Sequence, residues 1–469
     1  MRHRNLLGLV AARLRKLDLQ DLLRNIFALF ATSLILVLSV VQTIGSFSNI
    51  PNTIPPSILV VVGSMIFIGS KALSITRLDW IFGVWLLLAF ASHIYATCVL
   101  GRDDFRPDTL NSIVYFILDC YLLYRAVFCI VLVNPKNGSL LIVGMLVVIL
   151  CGVGILGVMQ RYGPGKSFAI TVGSHLSRTP KSVVDAAAIS RPTGVYEGPN
   201  MLGYAVSIMV CCVLGWSMID LPKITLWKTF TVTGLCGLAI FAALASQSRQ
   251  TVLILALCPI FFGLQLIRFA RDRRTVFLFS VLSLVGLTAG GVIVLKSKSD
   301  YLASVSHTGI QHDVSFEVRV MALQQLKEIA IEIAPFGAGI SQVNYPNGEL
   351  TQGYNHFTVI DIDNEWANIY EAFGVWGPLF LMTLFLCWYR HAASLLNSHH
   401  PEARAIARIA LWILLLDVLI SPSGVRVFKL DPACFAFIFL GAASGWHWWA
   451  SEPLKTTPVL GGQGLVAAR

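Results

Sequence analysis

Charge is scarce in this chain. Asp, Glu, Lys and Arg make up 13% of its 469 residues against 56% hydrophobic, and the mean hydropathy is +0.72. A soluble domain carries roughly a quarter charged residues, so there is too little polar surface here to cover a globule in water. Lipid must do the covering. Cofactor signatures are missing too. No Walker A, Rossmann glycine pattern or H-E-x-x-H occurs, so nothing supports nucleotide-driven transport or zinc proteolysis, and no cofactor or metal is expected. The ten cysteines form no C-x-x-C pair and fall inside apolar segments, where they read as small hydrophobes rather than disulfides or metal ligands. The lack of an internal repeat counts against transporter folds built by duplication. No signal peptide is expected ahead of the first apolar segment.

What is present is a series of apolar stretches. A bilayer-spanning helix needs about 20 mainly apolar residues. On that criterion spans are expected near 25–47, 56–75, 79–99, 111–133, 139–159, 200–219, 228–246, 250–268, 276–296, 375–390, 405–421 and 432–449. The fold class is therefore all-α: a polytopic membrane helix bundle with about 12 transmembrane helices and a large, partly helical extracytoplasmic loop. Residues 1–24 read as a basic amphipathic helix on the cytoplasmic side, with Leu6, Val10, Leu14 and Leu17 on one stripe. It either lies on an anionic leaflet or only sets topology. Residues 25–296 form the first part of the bundle, with an outer loop at 160–199. The large outer loop spans 297–374, the last three spans lie within 375–449, and 450–469 is a cytoplasmic tail.

The net charge of +10 would suggest nucleic acid in a soluble protein. Here the positive charge concentrates in alternate loops: Lys71 and Arg77, Lys136, Lys223 and Lys228, then Arg268 to Arg274, then Arg404 and Arg408. That pattern places both termini in the cytoplasm and implies no nucleic-acid partner. The remaining cations, on the other side, can meet an anionic substrate.

Three outer positions carry candidate chemistry. Arg191 opens Arg191-Pro-Thr-Gly-Val-Tyr-Glu-Gly-Pro-Asn200, ahead of a helix that Asn200 can cap. An arginine beside a helix N-terminus makes an anion site, or it merely meets headgroups. Arg249 sits in Ser246-Gln-Ser-Arg-Gln-Thr251 at a short outer junction, where arginine is costly unless paired or facing a polar cavity; snorkelling is the alternative. The long loop holds Ser315, Arg319 and apolar positions from Phe316 to Ile333 at helical spacing, stopped by Pro335. These predict an amphipathic helix, followed by Pro335-Phe-Gly-Ala-Gly339. Beyond it come His356 and Asp361-Ile-Asp-Asn364, leading into Glu371-Ala-Phe-Gly374. A carboxylate or imidazole there can serve as general base, or the acidic run can simply cap the next helix. Asp119 and Asp417, inside spans, are expected to face the interior, whereas Arg125 can snorkel to the inner surface. His391, His399 and His400 have no ligand spacing and read as surface.

In order, R-x-x-G-x-x-x-G-P-N at 191–200, Ser248-Arg249, S-x-x-x-R at 315–319, P-x-G-x-G at 335–339 and D-N-x-x-x-x-x-x-E-x-x-G-x-x-G at 363–377 resemble the O-antigen ligase and Wzy-type polymerase superfamily of bacterial envelope glycosyltransferases. The resemblance covers roughly residues 140–420. It implies an inner-membrane glycosyltransferase acting on undecaprenyl-diphosphate-linked saccharides outside the cytoplasm, without nucleotide sugar or catalytic metal. Membrane lipids and a polysaccharide chain-length regulator are the further partners it implies. Arg191, Arg249 and Arg319 would bind the lipid diphosphate, with Asn364 as a further substrate-binding residue. Ligases of this superfamily typically carry His-Asn where this chain has Asp363-Asn364. That departure favours a polymerase, with Asp363 as first candidate base and His356 as second. The alternatives are a ligase acting on lipid A-core and a lipid-saccharide flippase.

Overall fold

The computed structural model describes residues 19–42, 54–101, 107–162, 166–177, 199–219, 226–246, most of 323–339, 365–420 and 430–451. Among them every regular element is helical and no strand occurs. In chain order the helices are α1 (Leu19–Gln42), α2 (Ile54–Ile68), α3 (Arg77–Cys98), α4 (Pro107–Val133), α5 (Pro135–Tyr162) and α6 (Lys166–Ser177). Then follow α7 (Pro199–Ser217), α8 (Leu226–Ser246), α9 (Glu365–Phe373), α10 (Trp376–Leu395), α11 (Pro401–Ile420) and α12 (Leu430–Ser451). A 3₁₀ turn, Gly69–Leu73, extends α2.

Local chemistry sets many of the starts. Pro107, Pro135, Pro199 and Pro401 each occupy the first position of their helix, where a missing N–H costs nothing. Asn134 caps α5 by accepting from the Asn137 N–H at 3.2 Å. Thr76 and Asp79 form a reciprocal capping box at the start of α3.

The expected spans each fall on a helix, except those near 250–268 and 276–296, which lie outside the described residues. Among the described residues, three helices are long and apolar enough to cross a membrane: Ile54–Leu73, Arg77–Cys98 and Pro135–Tyr162. They are apolar all round, and large side chains such as Ile66, 82% exposed, and Leu87 and Val148 project outward. In water such a surface would drive association; in lipid it is the ordinary exterior.

Helix also occurs in the segments outside the spans. α1 runs unbroken from Leu19 through residue 24; Leu22, Leu23 and Ile26 continue its apolar pattern, and Arg24 is a good helix former. The 160–199 loop contains α6, whose Ala169 and Ile170 are buried and whose Ala169 carbonyl accepts from Gln160 Nε2 at 3.3 Å. The 297–374 segment contains α9 as well as the helical residues within 323–333.

The core centres on α12. Phe435, Ile438, Phe439, Leu440 and Trp446 are essentially fully buried, and α12 packs most extensively on α4. Gly441-Ala-Ala-Ser-Gly445 makes this approach possible. A Cβ at Gly441 would come within 2.6 Å of the Tyr124 carbonyl oxygen, and one at Gly445 within 3.0 Å of the Phe128 carbonyl oxygen. Small residues four apart let two backbones meet where lipid supplies no hydrophobic drive between helices.

Arg125 does not snorkel. Its side chain is 5% exposed and lies 3.4 Å from the Asp79 carboxylate, itself 9% exposed. It donates to the carbonyls of Ala72 and Ser74 at the end of the 3₁₀ turn. Those carbonyls lack helical partners, and Asp79 stands nearby, so turning inward satisfies more groups than reaching for headgroups. Asp417 is fully buried and accepts from the Tyr204 hydroxyl at 2.6 Å, while Asp119 is partly buried. His391 stacks on His447, with ring centroids 4.6 Å apart, and contacts Ser444 through Nδ1 at 3.0 Å. No group of three metal-ligating side chains occurs among the described residues. Their cysteines are all free thiols.

Candidate functional site

The described part of the candidate site is an interlock between the 334–339 turn and the α9–α10 elbow. Pro335 ends the helical run and the chain turns over Gly337, whose φ is +82°. Ala338 donates its N–H to the Glu371 carbonyl at 2.7 Å, and Val375 donates to the Ala334 carbonyl at 2.9 Å. The second half of the interlock is Gly374, at φ +61°, which lets α9 end and α10 begin within two residues. A Cβ on Gly374 would run into the Ala334 carbonyl oxygen, and one on Gly337 into the Ala372 carbonyl. The P-x-G-x-G and E-x-x-G-x-x-G stretches, about 35 residues apart in sequence, are thus two sides of one backbone contact.

Tyrosine hydroxyls tie this interlock to the bundle. Tyr95, near the end of α3, donates to the Glu332 carbonyl at 2.9 Å and packs its ring against Phe336. Tyr370 donates to the Ala330 carbonyl at 2.7 Å. Ser92 donates to the Ala372 carbonyl. Leu326, Ile333, Ala338 and Ala367 bury one another. The amphipathic stretch uses Leu326 and Ile333 inward, while Ile331 is fully outward.

α9 folds back against α10. The Trp366 ring meets that of Phe385, halfway along α10, at 6.3 Å. Gly377 admits the Ile369 carbonyl between the two helices. α9 therefore enters from the depth of α10 rather than lying over the mouth of the bundle.

The candidate residues Arg191, Arg249, Arg319, His356, Asp363 and Asn364 lie outside the described residues, as does Ser315. The described flanks of Arg191 and Arg249, at Pro199 and Ser246, share one end of the bundle. Gly154 of α5 packs on both Leu238 of α8 and Val206 of α7. Ser246 lies eight residues beyond Leu238 and Pro199 seven before Val206, so at 1.5 Å per residue both ends emerge about 11 Å above that level. The C-terminal end of α3, where Ser92 and Tyr95 grip the interlock, and the C-terminal end of α11, where Asp417 meets Tyr204, point the same way. So the helix ends leading to Arg191 and to Arg249 belong to one rim with the Gly374 elbow, whereas Glu365, the first residue of α9, lies deeper, at the level of the middle of α10. Glu371, in the last turn of α9, is buried.

Ser92, Tyr95, Tyr204 and Tyr370 were not among the residues singled out from sequence. The available signal was a hydroxyl within an apolar helix, which when buried needs a partner. Which partner depends on contacts between 40 and 280 residues away in sequence. Compared with known proteins, the chain matches no protein-family model and no curated relative.

Proposed function

We propose that this chain is an integral-membrane glycosyltransferase that polymerises undecaprenyl-diphosphate-linked oligosaccharide repeat units of an O-antigen or exopolysaccharide on the outer face of the bacterial inner membrane, with both termini cytoplasmic. What supports this most is one conjunction. Five weak motifs occur in order in the sequence, and the helix ends adjoining two of them, at 199 and 246, share one rim with the 335–339 turn and with the Gly374 elbow that belongs to the last motif.

The chemistry follows from the donor. Breaking the bond to a polyprenyl diphosphate leaves charge on phosphate oxygens, which Arg191, Arg249 and Arg319 neutralise. An acceptor hydroxyl attacks the anomeric carbon while Asp363 takes its proton, with His356 the second candidate and Asn364 holding the substrate. The hydroxyl oxygen forms the new glycosidic bond, the bond to the diphosphate oxygen breaks, and the lipid diphosphate leaves. No cofactor takes part. Asp363 in place of a histidine before Asn364 favours polymerisation over transfer to lipid A-core.

The test uses purified protein in lipid with an undecaprenyl-diphosphate oligosaccharide. Wild type should produce a ladder of lengthened lipid-linked glycans. Arg249→Ala should lower the rate by about 10²–10³-fold and Asp363→Ala by about 10²–10⁴-fold, with both variants still folded. Transfer only when lipid A-core is supplied would make the protein a ligase, and transfer to neither acceptor would make it a transporter.

A further inference from the structure

At the opposite end of the bundle, a cleft of about 550 Å³ opens between the start of α1, the end of α2, the α4–α5 corner and the end of α12. Its charged lining is Arg24, Lys71 and Lys136 against Asp21 alone. Asp21 lies 3.8 Å from Arg24 Nη1, and Lys136 reaches Glu402 at 3.8 Å with 76% of its side chain exposed. Neither ion pair is close enough to be a good hydrogen bond. Arg24 and Lys136 therefore keep donor capacity for a ligand.

Two further donors line the same cleft. Arg24 Nε and Trp448 Nε1 are both buried and make no hydrogen bond among the described residues. A buried donor without a partner calls for an acceptor, since leaving it unmade costs its desolvation. Indole and guanidinium nitrogens donate only, so the complementary ligand is rich in acceptors and negative. The floor of the cleft is stiff: Asn25 Oδ1 accepts from Asn134 Nδ2 at 2.6 Å and from Asn137 Nδ2 at 2.7 Å, tying α1 to the first turn of α5. That first turn adds the positive end of the α5 dipole.

The level of the cleft identifies the ligand class. Two of the apolar spans, Ile54–Leu73 and Pro135–Tyr162, respectively end and begin at it. Span ends lie where headgroup phosphates lie, and tryptophans such as Trp448 and Trp449 are enriched at that level. Ile68 and Leu132 add an apolar wall suited to the first acyl carbons. We infer that this cleft binds the phosphate of an anionic phospholipid headgroup, with Arg24, Lys136 and the Trp448 indole as its donors. The site is independent of the glycosyl-transfer chemistry at the other rim.

The full chain, purified in mild detergent, is titrated with short-chain phosphatidylglycerol, short-chain phosphatidylcholine and inorganic phosphate, with binding read by native mass spectrometry and thermal shift. Wild type should bind phosphatidylglycerol saturably and in preference to phosphatidylcholine. Lys136→Gln and Arg24→Gln should each weaken that binding about tenfold, the loss expected for one charge-assisted contact, and Lys136→Arg should restore it. Because Lys136 is largely exposed, its replacement leaves folding intact even if Arg24→Gln does not. Inorganic phosphate that competes at equal concentration would assign the same donors to a soluble phosphate. Unchanged phosphatidylglycerol affinity in Lys136→Gln, or no saturable binding of any probe, overturns the inference.

Discussion

At the scale of single residues, the clearest energetic statement concerns Arg125 and Asp79. Both are buried, and Arg125 also satisfies two carbonyls that the 3₁₀ turn leaves open. Asp79 Oδ2 in turn accepts from Thr76 Oγ1 at 2.6 Å, and that hydroxyl lies 3.1 Å from the Tyr124 hydroxyl. Removing one member of such a pair strands the other charge in a medium of low dielectric. Asp79→Ala should therefore cost about 3–5 kcal/mol, read as denaturation of the purified protein. Asp79→Ala combined with Arg125→Met should recover a large part of that loss, because no charge is then left uncompensated. Equal stability of the single and double variants would show that the pair is not coupled.

At the scale of elements, the elbow between α9 and α10 controls the candidate site. Gly374 is held at positive φ, with the Ala334 carbonyl packed where a side chain would start. Gly374→Ala should destabilise the interlock by at least about 2 kcal/mol, combining left-handed backbone cost with displacement of the 334–339 turn. Hydrogen exchange at Ala338 and Val375, whose N–H groups make the interlock bonds, should quicken in this variant. Exchange across the α4–α12 contact should not change. Accelerated exchange everywhere would mean that the elbow is not a separate unit.

At the scale of the whole molecule, the outward apolar belt assigns the surroundings. With Cys98, the exposed one among the described cysteines, changed to serine, cysteines introduced one at a time at Ile66, Leu87 and Val148 should add no labelling by a water-soluble maleimide in intact membranes. Lys136→Cys, at the rim, should react readily. Comparable labelling of all four would contradict the placement of Ile54–Leu73, Arg77–Cys98 and Pro135–Tyr162 in lipid. The two rims differ in character: one carries the interlock, the other the cationic cleft.

Composition and periodicity determined by themselves that the chain is helical and apolar, because scarce charge and runs of about 20 apolar residues admit few other solutions. Helix starts were equally legible where Pro135 and Pro199 or the Thr76–Asp79 box announce them, since capping acts within one turn. Of the candidate site, the sequence carried the motifs and their order, and their glycines at 337 and 374. That these glycines face each other was decided by the tertiary structure, because their register depends on Tyr95 and Ser92 of α3, more than 200 residues away. Arg125 shows the same division. A lone arginine near a span end can snorkel, and only the arrival of Asp79 and the open carbonyls of Ala72 and Ser74 turned it inward. The short α6 was not legible in the sequence: too brief to be a span, it is stabilised by packing on α5 that no local window contains.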